Sequence, residues 1–212
     1  MNISYEKLDI CNFDEVLNGL CFSMAKYEPM GIASGLESND IVSLYEPILR
    51  NSFETSFIAK DIVNNRIAGA IICNDFHYFT NLEEENISKK DEPIEYLLKT
   101  LENSFMNCEY YIRNIQNHTF YQYATYVSPD YGNQGIASNL YKISEKYAIE
   151  SNYKNIFTIS SGPISQHIRK NKLGFKFLDE IDYKSFQFNG INVFSNIKQV
   201  DTCKSLVKIL NN

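Results

Sequence analysis

Apolar and polar positions alternate along residues 3–10, the two-residue period of a strand with one buried face. The period then lengthens. Val16, Leu17, Leu20 and Met24 share one side of residues 13–24, which predicts a helix starting near Asn12 or Asp14. Residues 40–50 read as a second helix. Residues 56–62 and 66–74 read as strands joined at Val63-Asn64-Asn65. The second of these, IAGAIICN, is apolar throughout, as a central strand should be. Residues 81–91, NLEEENISKKD, are the most polar stretch and are expected to form a mobile loop. A helix over 94–106 follows, with Leu97, Leu98, Leu101 and Phe105 as its apolar side. Residues 120–127 are aromatic and β-branched and predict a strand; Ile136, Leu140, Ile143 and Tyr147 then mark an amphipathic helix. A short strand at 155–159 leads to a helix over 164–172, stopped at Gly174. Asn189-Gly190 predicts a hairpin between 183–188 and 191–197, and 204–210 can add a last strand.

Two places in this pattern invite chemistry. Between the strand at 120–127 and the helix at Ile136 lies Ser128-Pro129-Asp130, then Gly132, Asn133, Gln134, Gly135, Ile136, Ala137 and Ser138. A strand, a tight glycine turn and a helix start present unpaired amides and the positive end of the helix dipole, which suits an anion. The plainer reading is a turn, because the Lys-Ser/Thr pair of a P-loop and the three-glycine dinucleotide pattern are both missing. The second place is Glu28-Pro29-Met30. The proline pushes Glu28 out of helical geometry, so its carboxylate projects from a turn. The plainer reading there is a solvated glutamate.

Composition narrows the class. The 212 residues suit one domain, taken here as residues 1–212. A net charge of −6 without a basic stripe argues against nucleic acid as a partner and is compatible with a cationic small molecule. Cys11, Cys21, Cys73, Cys108 and Cys203 are scattered, odd in number and without a CxxC pair. They read as reduced thiols in a cytoplasmic chain, neither a disulfide frame nor a metal site. No secretory leader or membrane span is expected. The 15 tyrosines and 14 phenylalanines are enough to fill a core and also to line a pocket for an aromatic amine.

The string YVSPDYGNQGIASNLY resembles the acetyl-CoA-binding motif of the GCN5-related N-acetyltransferase (GNAT) superfamily. Gly135 and Ala137 fill its last two signature positions, and Gly132 stands where the superfamily has Arg or Gln. IRKNKLGFKF, residues 168–177, resembles the superfamily's last helix and its Lys-x-Gly-Phe close. FSMAKYEPMGIASGL, residues 22–36, resembles the first-helix motif of invertebrate arylalkylamine (dopamine-type) N-acetyltransferases. The element order agrees from end to end, while residues 76–111 match nothing in the family.

The resemblance implies an α/β (α+β) GNAT fold. Its central sheet of about seven strands is mixed, mostly antiparallel and flanked by helices, and strands 4 and 5 splay apart to form the acetyl-CoA cleft. It implies acetyl-CoA as co-substrate with no metal, held by Tyr126 and Val127 along the pantetheine and by Gly132 to Ser138 on the pyrophosphate. Strand backbone near Val127 would face the developing oxyanion. Glu28 would take the proton of the amine, directly or through water. Ser161 and Ser165, four residues apart, would return a proton to the departing thiolate; Ser161 as a helix cap is the alternative. Lys170 falls where many members carry a Tyr acid, and His167 is a base only in a different design. The expected activity is acetyl transfer by direct attack of a small primary amine, an arylalkylamine, in a monomer or homodimer. Two alternatives stand beside it: acetylation of polyamines or other aliphatic amines, and a non-catalytic acyl-CoA-binding module.

Overall fold

A computed structural model describes residues 2–80, 87–112 and 115–210. The elements are β1 Ile3–Lys7, α1 Phe13–Lys26, α2 Pro29–Ser34, α3 Val42–Arg50, β2 Phe57–Asp61, β3 Arg66–Asp75, α4 Phe76–Thr80 and α5 Glu92–Met106. They continue with β4 Thr119–Val127, α6 Ile136–Glu150, β5 Asn155–Ser160, α7 Pro163–His167, β6 Lys176–Asp182 and β7 Thr202–Ile209. The seven strands form one sheet in the order β1-β2-β3-β4-β5-β7-β6. Every neighbouring pair is antiparallel except β4 and β5. The fold is the mixed, helix-flanked sheet the resemblance implies.

Helices cover both faces. On one, α1 buries Val16, Leu17, Leu20 and Cys21 with Leu44 and Ile48 of α3 and Leu97 and Leu101 of α5. On the other, Ile136, Leu140 and Tyr141 of α6 pack with Ala59, Ile71 and Ile156. β3 is buried along Ile67 to Cys73, as its unbroken apolar run demands. The segment without family likeness has its own aromatic nucleus. Phe76, Phe105, Tyr121 and Phe157 pack with Val207, and the Phe105 and Phe157 rings stack at 4.1 Å.

β4 and β5 are paired only at Thr119↔Asn155, Phe120↔Ile156 and Tyr121↔Phe157. Beyond these pairs the strands part. The β3–β4 register slips at the same level, where Cys73 pairs Gln122 but Ile72 pairs Ala124, leaving Tyr123 as a bulge. A bulge bends and twists its strand, and this one lies where the β4–β5 pairing ends.

Three expectations need correction. The hairpin around Asn189-Gly190 is a single bridge, Phe188↔Ile191, and not two strands. Asn189 and Gly190 take the left-handed conformation the turn needs, at φ 51° and 77°. The flanking apolar side chains Tyr183, Phe186, Phe194 and Ile197 go into the α1-side core instead of pairing. The strand that does precede β7 is β6. It is the sheet edge, half-exposed along its length, so it lacks a clear two-residue signal. The turn at Glu28 opens a further short helix, α2. The predicted mobile loop at 81–91 has residues 81–86 outside the described residues. Asp91, at its other end, is buried at 3% exposure. Among the described residues no helix is long and apolar enough to cross a membrane.

Candidate active site

Where β4 and β5 part lies a cavity of about 440 Å³, lined by residues from the start of α6 to α3 and α5. Its wall toward α6 is Tyr126, Val127, Ala137, Tyr141 and Arg169. Its other end is lined by Tyr45, Tyr121, Tyr123, Glu28, Asp91 and Glu95. Ser161, Gly162 and Ser165 form the side between the two ends.

Glu28 is held by local geometry. With φ −77° and ψ 128° it is extended, as the residue before Pro29 must be, and it caps α2. Its Oε2 accepts from the Gly31 amide at 2.6 Å. Gly31 is required there: a Cβ would sit 2.1 Å from the Met24 carbonyl, so only glycine lets α2 close on α1. Oε1 is buried without a hydrogen-bond partner. Burial pushes the carboxyl pKa up, opposed by the Gly31 amide, the nearby Ser161 hydroxyl and the Met30 amide. The serine is close enough to favour the charged form but does not complete a bond to Oε1. A carboxyl held this way can take a proton closer to neutral pH than an exposed glutamate can.

The serines sit on the turn from β5 into α7. Tyr183, fully buried, donates its hydroxyl to the Ser161 carbonyl at 2.8 Å. Gly162 takes the cap position of α7, so Ser161 is not the cap and its hydroxyl faces Glu28. The Ser165 hydroxyl is spent on the Gly162 carbonyl at 3.0 Å.

Toward α6, the β5-facing edge of β4 beyond Tyr121 has no strand partner among the described residues. Tyr126 turns its ring over Gly19, where a Cβ would meet it at 2.6 Å, so it offers the cleft its backbone. Val127 packs toward α6. Gly132, Asn133, Gln134 and Gly135 are exposed and lie outside the cavity lining; Ile136 is core and opens α6, followed by Ala137, which lines the cavity, and Ser138. Asn133 and Gly135 are left-handed, at φ 60° and 76°. No side chain caps the first turn of α6, which leaves its amides for an anion.

Lys170 and His167, neither of them placed in the expected site, are both exposed, and His167 Nδ1 lies 2.9 Å from the Asn171 amide nitrogen. Between Ile168 and Lys172 the helix widens to a π turn, with Leu173 N bonded to Ile168 O. The extra residue in that turn directs Arg169, not Lys170, into the cavity wall. Counting at 3.6 residues per turn cannot find this. Asp91 and Glu95 were also missed, since a glutamate-rich helix start ordinarily reads as solvated.

The acetyltransferase (GNAT) family model matches residues 24–175. No curated protein matches the chain. Among solved structures, the C-terminal condensation domain of Ebony in complex with β-alanyl-dopamine superposes with a TM-score of 0.85 at 16% identity, over 99% of this chain and 100% of that one. Arylalkylamine N-acetyltransferase 2 from Aedes aegypti gives 0.79 at 19% identity, over 100% of both chains. The Drosophila melanogaster polyamine N-acetyltransferase, which forms N-acetylagmatine, gives 0.75 at 16%, over 99% of this chain and 100% of that one. With the family model spanning the stretch from α1 past the cleft to Phe175, the chain belongs to the acetyltransferase (GNAT) family.

Proposed function

We propose that the chain transfers an acetyl group from acetyl-CoA to a small primary amine by direct attack. One observation carries this reading: the buried carboxyl of Glu28 and the unpaired edge of β4 open into the same cavity. The pantetheine lies along Tyr126 and Val127, and the diphosphate rests on the amides from Gly132 to Ser138 without needing the missing Arg or Gln. The amine enters as an ammonium beside Glu28, which takes its proton. The lone pair then attacks the thioester carbon, whose oxygen is met by β4 amides near Val127. Ser161, next to Glu28, is the better placed of the two serines to relay a proton; Ser165 is engaged with Gly162.

An arylalkylamine suits the rings of Tyr45, Tyr121 and Tyr123. The polyamine or other aliphatic amine reading is supported by Asp91 and Glu95, at 3% and 8% exposure in the same wall, which give that end of the cavity acidic character. Purified protein is mixed with acetyl-CoA and tryptamine, tyramine, spermidine or agmatine, and free thiol is followed. Thiol release dependent on amine supports the reading, and the tryptamine-to-spermidine rate ratio separates the two classes. Stabilisation by CoA without thiol release for any amine would make the chain a binding module.

A further inference from the structure

Arg169 is 3% exposed and lines the cavity. One guanidinium nitrogen, Nη1, donates to Gln122 Oε1, and Nε has no hydrogen-bond partner. Among the described residues no carboxylate forms an ion pair with it. The guanidinium lies 4.1 Å from the centre of the Tyr141 ring and 5.5 Å from that of Phe175. Gln122 is itself neutral and tied to Ser144 Oγ at 2.8 Å. The titratable groups acting on Arg169 are Cys73 from β3, Tyr121 from β4 and Tyr141 from α6. Burial holds the Cys73 thiol and the Tyr121 phenol in their neutral forms. A guanidinium stays protonated in proteins. So one positive charge sits at the level where β4 and β5 part, and the described residues supply no anion for it. A buried charge without a counter-charge is costly.

The proposed reaction makes one. The ammonium gives its first proton to Glu28 before attack. The new N–C bond then forms, and the C–S bond breaks with its electron pair leaving on sulfur as a thiolate. The second proton of the attacking nitrogen passes by way of the Ser161 hydroxyl to water and not to sulfur. We propose that Arg169 provides the counter-charge for that thiolate, so that the coenzyme is held in the cavity in its deprotonated form until it leaves. The proposal rests on the acetyl-CoA reading above and extends it.

Binding of CoA and of desulfo-CoA to the intact chain is measured by calorimetry from pH 6 to pH 9. A thiol with a free pKa of about 8.5 that is bound as thiolate makes CoA affinity rise with pH up to that value and then level off. Desulfo-CoA cancels every other titrating group. The expected result is a CoA preference that grows about tenfold or more across the range in the wild type, persists in Arg169→Lys and is flat in Arg169→Met. A flat ratio in the wild type, or an unchanged slope in Arg169→Met, overturns the proposal while amine-dependent thiol release leaves the acetyltransferase reading standing. If Arg169→Met does not fold, Arg169→Gln takes its place with the same two outcomes. Failure to bind either compound overturns the coenzyme reading itself, and this proposal with it.

Discussion

The Tyr183 hydroxyl reaches back 2.8 Å to the Ser161 carbonyl, across 22 residues of sequence, and ties the loop after β6 to the turn that faces Glu28. Both partners are needed for one purpose, since Tyr183 is fully buried and burial keeps its phenol neutral, a permanent donor. Tyr183→Phe removes that bond together with the hydroxyl's interaction with the buried Cys203 thiol. The net loss of one hydrogen bond is about 1 kcal/mol. The chain should therefore fold, with kcat lowered about fivefold and KM for acetyl-CoA unchanged. A variant with wild-type kcat would show that the turn holds Ser161 without it.

Glu28→Gln keeps the cap on α2, because an amide oxygen can still accept from Gly31, and removes the base. Loss of a positioned base lowers kcat by about 10²–10⁴-fold. The wild-type rate should rise with pH along a limb whose midpoint lies above the ~4.3 of an ordinary glutamate, since burial raises this carboxyl. That limb should be missing from the residual activity of Glu28→Gln. Stopped assays of thiol release across pH 5 to 9 measure both.

The same substitution should stabilise the fold. A carboxyl whose folded pKa is raised contributes stability while protonated, fully below its unfolded value of about 4.3, and loses it as pH rises through the folded value. Glu28→Gln has nothing to ionise. Its Tm should match the wild type near pH 4 and exceed it at pH 8, by a margin that thermal melts at the two pH values can read. A lower Tm at pH 8 would mean that Oε1 is better satisfied than its lack of a hydrogen-bond partner implies.

Gly31→Ala tests why α2 lies so close to α1. The added methyl would meet the Met24 carbonyl at 2.1 Å, and backbone cannot give way as a side chain can. Overpacking of this kind costs about 1–3 kcal/mol. The helix must shift and carry Glu28 with it, so activity should fall further than the change in denaturation midpoint explains.

Much of this was legible because the signals were local. Gly135 before an amphipathic helix, the proline after Glu28 and the apolar run of β3 each dictate a conformation from neighbouring residues. What escaped detection depends on distant partners. β6 is an edge strand with little burial to pattern it. The segment at 183–201 offers a strong turn at Asn189-Gly190, yet core packing of Phe186 against Phe194, rings stacked at 5.2 Å, outweighs strand pairing. Arg169 enters the cavity wall only because a π turn rotates it there, and no local propensity announces that. Gln122 and Ser144, its supporting pair, come from β4 and α6.

Gly135 allows the anion site to be tested separately from the chemistry. Its φ of 76° is left-handed, and an added Cβ would meet nothing within 4 Å, so a substitution there is strained without being crowded. Backbone preference alone should then rank the variants. Asn tolerates this conformation better than Ala, which carries about 1–2 kcal/mol of strain. Thermal stability should fall in the order Gly135, Gly135→Asn, Gly135→Ala. If the amides that follow hold the diphosphate, KM for acetyl-CoA should rise in the same order with kcat at saturation nearly constant, because Glu28 is unaffected. Equal KM values across the three, with the stability order intact, would place the diphosphate elsewhere on the surface.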